Sequence, residues 1–288
     1  MIVRSATSSD ISAMAAILEA NGETDSWPDV PGSPYLEHLV GRPATRPLVG
    51  EVDAVVVGWG ASIEVGGPRR RFITDLFVDP VQQSRGVGRA ILADLVDGAD
   101  ERLTFSSGDQ RALGAYIRTG MRPWWPVLYV TVPGTALQGV ADAAMGVAVA
   151  AERADVAETA RWSQAWTGMD RRADFDYDAR LPDAAGWLIR VHGEPAAVAW
   201  SRRRRDGTGR TLVHATMAPS GDPVAVALGV MRAAIDDAGT LSCTVPGPHP
   251  ALPWLLDHGA RIVDRDTYCA TDPGLLDPER ILPDPGFL

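Results

Sequence analysis

The stretch VDPVQQSRGVGRAILADLV, residues 78–96, constrains the fold more than any other part of the chain. A strand-like run, RFITDLFV, ends at Asp79 and Pro80, and a helix-like run, GRAILADLV, begins at Gly88 after a turn that holds Gly86. A helix N-terminus exposes unpaired backbone N–H groups and about half a positive charge. Small, donor-rich residues at that place predict either a tight strand-to-helix turn or a site for an anion.

The residues of this turn favour a phosphate over the other anions. Gly86 and Gly88 lack the side chains that would hold a phosphate away from the backbone, and Arg85 and Arg89 add guanidinium donors. A P-loop would need Gly-Lys-Ser/Thr where this chain has Gly-Arg-Ala, and the dinucleotide fingerprint would need three glycines near the first strand. The Gly-x-Ser-x-Gly elbow of serine hydrolases does not occur in the sequence.

The order of predicted elements repeats along the chain. The first half reads as strand, helix, strands, helix, strand, helix and strand, and the second half follows nearly the same order. A length of 288 residues suits two domains of ordinary size. We therefore predict an α/β (α+β) protein with two tandem domains, residues 1–135 and 136–288.

Composition excludes several classes of partner. A formal net charge of −10 argues against a nucleic-acid binder. No run approaches the roughly 20 apolar residues of a membrane helix, and the first residues lack the apolar core of a signal peptide, so a cytoplasmic protein with no membrane partner is expected. The cysteines, Cys243 and Cys269, form no close-spaced motif with histidine, so no metal is expected.

Two motifs in the first half resemble the GNAT superfamily of N-acetyltransferases. The run QSRGVG, residues 83–88, is similar to the family signature Gln/Arg-x-x-Gly-x-Gly/Ala, and it follows a strand that ends in LFVDP. The run DQRALGAYIRTGM, residues 109–121, is similar to a later helix of the family, although Asp109 stands where Asn is more usual and Met121 where Phe is common. The resemblance implies a mixed, mostly antiparallel central sheet flanked by helices in each domain.

The same resemblance implies acetyl-CoA, or another acyl-CoA, as a co-substrate. Its pyrophosphate would lie on the turn, its pantetheine arm along the strand that ends in DLFV, and its thioester near residues 76–78. The acyl group would pass directly to an amine. The implied binding residues are Leu76, Phe77, Val78, Gln83, Ser84, Arg85, Gly86, Val87, Gly88 and Arg89.

Transfer to an amine requires a base, a polarised carbonyl and a proton for the departing thiolate. The resemblance places Tyr116 at the general-acid position, although a helix tyrosine packed on the sheet is the alternative. A backbone N–H near Val78 would polarise the carbonyl. Asp75 and Glu64 are the candidate bases, and an inert surface role stays open for each.

The acceptor is expected to contact the segment after the first helix. The segment offers Glu23, Asp25 and Asp29 beside Trp27, and carboxylates next to an aromatic ring suit a cationic amine. A solvated acidic loop is the alternative. The substrate is expected to be a small-molecule or peptide amine, and the protein a monomer or a homodimer.

The second half resembles the same family without its signature. The run APSGDPVAVALGV stands in the place of the glycine motif, and the later helix has no tyrosine. Asp222 and Pro223 predict a capped helix start that leaves no room for a phosphate. The sequence thus predicts one working site, and a non-catalytic acyl-CoA-binding regulatory protein is the alternative function. The final stretch, residues 275–288, can lie over either domain.

Overall fold

A computed structural model describes residues 1–22, 32–138, 148–204, 207–235 and 239–288. The chain divides into two compact units. The first contains Met1–Trp124, Tyr268–Leu275 and Phe287, and the second contains Trp125–Thr267, Leu276–Gly286 and Leu288. The domain ranges 1–135 and 136–288 remain a prediction. Among the described helices, none combines the length and apolar character that crossing a membrane requires.

The first unit is a sheet with helices on both faces. Its strands lie in the order β1, β2, β3, β4, β5, followed by a short part of a later strand, β12 (Arg261–Ala270). The pairs β1–β2, β2–β3 and β3–β4 are antiparallel, and β4 and β5 are parallel. The elements are β1 (Ile2–Ser5), α1 (Ile11–Ala20), α2 (Gly32–Gly41), β2 (Thr45–Val52), β3 (Val55–Glu64), β4 (Arg70–Val78), α3 (Val87–Leu95), β5 (Glu101–Ser106) and α4 (Gln110–Arg118).

Glycines in β3 bring α3 close to the sheet. A Cβ at Gly58 would lie 2.9 Å from Cγ1 of Val87, and one at Gly60 would lie 2.9 Å from Cδ1 of Leu95. Real Cβ atoms do not pack at such distances, so larger residues in β3 would push the helix away. Ile91 completes the buried stripe of α3. The close packing fixes the start of α3 at the end of β4.

The second unit repeats this arrangement. Its strands lie in the order β6, β11, β10, β9, β8, β7, and β13 pairs with β10. Only β10 and β11 are parallel among the described pairs. The elements are β6 (Arg122–Pro133), α5 (Gly134–Gln138), β7 (Val149–Arg153), α6 (Val156–Thr167), α7 (Arg172–Asp178), β8 (Ala185–Val191), β9 (Glu194–Arg203), β10 (Gly209–Met217), α8 (Pro223–Ala234), β11 (Thr240–Pro246), α9 (Ala251–Asp257) and β13 (Ile281–Leu282).

The fold class expected from the sequence is confirmed. Both units have a mixed, mostly antiparallel sheet flanked by helices, and each contains one parallel pair of strands. The elements β7, α7 and β13 were not predicted. The last of these is two residues long and carries no periodic signal, since a pattern of alternation needs four or more residues.

Candidate functional site

The strands β4 and β5 separate part-way along their length. Their parallel pairing runs from Arg70 opposite Glu101 to Ile73 opposite Thr104. Beyond that point β4 continues to Val78, paired only with β3 on its other edge in the part of the chain that the structure describes. One edge of the β4 backbone over residues 76–78 therefore borders an opening between the two strands.

The turn that follows β4 leads into an uncapped helix. Ser84 and Gly86 both have left-handed backbone conformations, with φ of 64° and 91°. Gly86 is the N-cap of α3 and provides no side-chain cap, and the N–H of Ala90 makes a helical bond to the Gly86 carbonyl at 3.0 Å. The first N–H groups of α3 thus point toward the turn without a capping side chain. The left-handed Ser84 was not anticipated from the sequence.

The corresponding helix of the second unit has a different start. Oδ1 of Asp222 accepts a hydrogen bond from the N–H of Val224 at 3.0 Å, and Pro223 occupies the first turn. A carboxylate at this place both occupies an N–H donor and repels an incoming anion. The start of α3 is open to an anion, whereas the start of α8 is closed.

The cap at Asp222 gives a stability prediction. Asp222→Ala is expected to lower the free energy of unfolding by about 1 kcal/mol, because an N-cap acceptor is lost. Asp222→Asn is the matched control, since its amide oxygen keeps the cap without the charge. Urea unfolding measures both variants, and equal losses for Ala and Asn would show that capping is not the role of this residue.

Gln83 ties the turn to three other elements. Its Nε2 donates to the Val78 carbonyl and to Oδ1 of Asn21, each at 3.2 Å, and its Oε1 accepts from Nη1 of Arg111 at 2.7 Å. These contacts join the turn to the end of β4, the end of α1 and the start of α4. The side chain of Gln83 therefore holds the turn in shape. Asn21, which also donates to the Val78 carbonyl at 3.2 Å, was not singled out from the sequence.

Asp109 does not place a bare negative charge beside the turn. It caps α4 by accepting from the N–H of Arg111 at 2.8 Å, and it forms an ion pair with the Arg111 guanidinium, also at 2.8 Å. The hydrogen bond from the Arg111 side chain holds the pKa of the Asp109 carboxyl below its usual value. The departure from the more usual Asn is thus compensated by a neighbouring cation.

The predicted acid and the better placed of the two predicted bases lie on opposite faces of the sheet. Tyr116 is 6% exposed and packs with Leu92 and Met121 in the core on the α3 side. Asp75 is 4% exposed and accepts a hydrogen bond from the Tyr35 hydroxyl at 2.8 Å, on the side of α1 and α2. Tyr35 is a site residue that sequence reasoning missed.

Glu64, the other predicted base, is not brought to the opening. Glu64 forms an ion pair with Arg71 at 2.8 Å, in the part of β4 that is paired with β5. Arg71 precedes Asp75 by four residues, or about 13 Å along a strand. Glu23, Asp25 and Trp27 lie outside the described residues. No group of three or more metal-ligating side chains occurs within the described ranges.

The sequence profile of the acetyltransferase (GNAT) family matches residues 13–121. The N-terminal unit is a GNAT-family domain. The matched range contains β4, the uncapped turn, α3 and the helix that carries Tyr116, so the resemblance stated from the motifs is confirmed. No protein of curated function matches the chain.

Solved structures extend the GNAT fold to the whole chain. A tandem GNAT protein from the clavulanic acid biosynthesis pathway superposes with a TM-score of 0.61 and 13% identity, covering 94% of this chain and 99% of that one. An acetyltransferase candidate from Pyrococcus horikoshii superposes with a TM-score of 0.67 and 16% sequence identity. The match covers 100% of this chain and 94% of that one. A GCN5-related N-acetyltransferase from Anabaena variabilis superposes with a TM-score of 0.60 and 16% sequence identity. The match covers 93% of this chain and 72% of that one. The chain has the tandem, two-domain GNAT fold.

Proposed function

We propose that the chain is an acetyl-CoA-dependent N-acetyltransferase with its working site in the first unit. The observation that carries the proposal is the uncapped turn at Gly86, which leads directly from the free edge of β4. A phosphate-binding helix start beside an unpaired strand edge suits a ligand with a pyrophosphate at one end and amides along its length.

The residues present fit such a ligand. Backbone N–H groups of residues 84–89 would hold the pyrophosphate, assisted by Arg85 and Arg89. The edge of β4 at Leu76, Phe77 and Val78, apart from the Val78 carbonyl that already accepts from Gln83 and Asn21, would pair with the amides of the pantetheine arm, as an added strand pairs with a sheet edge. When bound, acetyl-CoA supplies the activated thioester.

The positions of Asp75 and Tyr116 suggest that the base and the acid act from opposite faces of the sheet. The amine would enter on the face of Asp75 in its neutral form, after its ammonium group has lost a proton to solvent, and Asp75 would take a further proton from the nitrogen as the nitrogen–carbon bond forms. A backbone N–H near Val78 would polarise the thioester carbonyl, and Tyr116, on the opposite face, would give its proton to the sulfur as the carbon–sulfur bond breaks. The products are an acetamide and the free thiol. Asp75 is preferred to Glu64 as the base because Glu64 is held in an ion pair with Arg71.

The acceptor is proposed to be a cationic amine, a small molecule or a peptide. Asp75 and the acidic segment that holds Glu23, Asp25 and Trp27 are carboxylate-rich, and the net charge of −10 attracts cations. The rival is a regulatory protein that binds acyl-CoA without turning it over.

A thiol-release assay separates the two functions. Acetyl-CoA is mixed with the protein and a panel of amines, the free thiol is followed with a thiol reagent, and the acetylated amine is identified by its mass. The proposal expects thiol release that requires both protein and amine. Tight acetyl-CoA binding with no release across the panel would favour the regulatory protein.

The Tyr35 hydrogen bond gives a kinetic prediction. Tyr35→Phe is expected to lower kcat/KM by about tenfold, because a hydrogen bond to a charged carboxylate is worth about 1.5–3 kcal/mol and part of that orients the base. The Phe ring keeps the contact with Phe287, whose centroid lies 5.3 Å from that of Tyr35. An unchanged kcat/KM in Tyr35→Phe would show that the Tyr35 hydroxyl does not orient a catalytic base.

A further inference from the structure

The parallel strands of the second unit separate as those of the first do. Pairing of β10 with β11 runs from Gly209 opposite Thr240 to Thr211 opposite Ser242, and β10 continues to Met217. Each strand has one residue that is skipped in the antiparallel pairing with the strand before it. In β4 this residue is Thr74, skipped in the pairing with β3, and in β10 it is Val213, skipped in the pairing with β9. Each lies four residues after the first parallel pair, so the two strands can be aligned residue by residue.

This alignment shows what replaces the site of the first unit. His214 takes the place of Asp75, and Ala215 and Thr216 take the places of Leu76 and Phe77. Burial, together with the nearby Arg171, holds the pKa of His214 well below its ordinary value, so its imidazole is neutral. The second unit thus keeps the geometry of the opening and lacks the carboxylate.

The opening of the second unit is filled by the chain itself. Leu282 pairs with Ala215 and Ile281 with Thr216, antiparallel, and both β13 side chains are at most 3% exposed. The contacts of the segment reach both sides of the opening. On the β10 side the N–H of Met217 donates to the Arg280 carbonyl at 2.8 Å, and on the β11 side the Thr244 hydroxyl donates to the Pro283 carbonyl.

The segment also reaches both ends of the opening. Nη1 of Arg280 donates to the Gly221 carbonyl at 3.0 Å, in the turn just before α8. At the other end the buried guanidinium of Arg171, which pairs with Asp174 at 3.0 Å, donates to the Leu288 carbonyl. The segment therefore runs from the helix-start turn along the strand edge and into the interior. Acetyl-CoA would take the equivalent path in the first unit.

We infer that the opening of the second unit is a strand-addition site whose ligand is the segment around β13, residues 276–286 of the same chain, held there in place of an acyl-CoA. Main-chain pairing gives such a site its affinity, and buried alternate side chains give it specificity. The pairing stands on the contacts of the second unit alone, and only the comparison with acyl-CoA rests on the proposed function.

Hydrogen exchange of the full chain, with and without acetyl-CoA, tests the inference. Amides in residues 214–217 and 280–283 are expected to exchange at least about a hundredfold more slowly than unprotected amides, and acetyl-CoA is expected to leave them unchanged. Fast exchange at 280–283, or a loss of protection there when acetyl-CoA is added, would overturn it. A failure of residues 76–89 to gain protection would instead count against the proposed function.

A pair of variants adds a second test. Leu282→Asp places a charge in the filled opening and is expected to speed exchange at 214–217 by at least about tenfold, because the added strand is released. Leu256→Asp is the control, since Leu256 is 40% exposed on α9. Equal exchange at 214–217 in both variants would contradict the inference. If Leu282→Asp does not fold, the unmodified chain still decides the question.

Discussion

Gly86→Glu is expected to abolish acetyl-CoA binding and to leave the fold intact. The new carboxylate would lie at the uncapped start of α3, accept its N–H groups and repel a phosphate, as Asp222 does at α8. A loss of at least about a hundredfold in Kd is expected, or roughly 2.7 kcal/mol. Apart from Gly86 and its two chain neighbours, no atom of the described residues lies within 4 Å of the Cβ position, so the core is not disturbed.

The backbone at Gly86 requires a matched control. A non-glycine residue at φ of 91° costs about 1 kcal/mol, whatever its charge. Gly98 follows the same helix, has φ of 73° and also has open space around its Cβ position. Gly98→Glu therefore adds the same charge and a similar strain away from the turn, and its Kd is expected to stay unchanged. Undiminished affinity in folded Gly86→Glu protein, measured by calorimetry, would remove the turn from the binding site.

Tyr116→Phe is expected to lower kcat by about 10²–10⁴-fold with little change in the Kd for acetyl-CoA. Removal of the hydroxyl takes away the proton proposed for the departing thiolate, and general acid catalysis is worth about that much. The ring stays in the apolar cluster with Leu92 and Met121, so packing is kept. Pre-steady-state measurements of thiol release give the rate of the chemical step.

Tyr129→Phe is the control for loss of a tyrosine hydroxyl. Tyr129 is in the second unit, where its hydroxyl donates to Oδ2 of Asp266 at 2.7 Å. This variant is expected to keep its rate. A Tyr116→Phe enzyme with the parent rate, where chemistry limits turnover, would mean that Tyr116 serves only to pack α4.

Local chemistry accounts for what the sequence predicted well. The turn between β2 and β3 has left-handed residues at Asp53 and Ala54, as a two-residue hairpin requires. Gly86 was singled out because its missing side chain leaves room for a phosphate, and its φ of 91° adds a conformational reason for glycine at this place. The cap by Asp222 followed from the Asp-Pro pair. Each of these signals lies within a few residues of the feature that it determines.

Long-range contacts account for what the sequence did not predict. Tyr35 meets Asp75 across 40 residues, and Gln83 meets Asn21 across 62. The pairing of β13 with β10 joins a two-residue strand to residues 215 and 216. No periodicity marks such partners, because they depend on how complete elements pack together. The parts of the site made by the turn were therefore predictable, and the parts made by tertiary contacts were not.

A titration of the full chain with acetyl-CoA, followed by calorimetry, tests the central claim most directly. The open start of α3 and the free edge of β4 predict one site per chain, and the cap at Asp222 with β13 in the second opening predicts no other. One site in the parent and none in Gly86→Glu is the expected result. Two sites in the parent, or a site that survives in Gly86→Glu, would contradict the account.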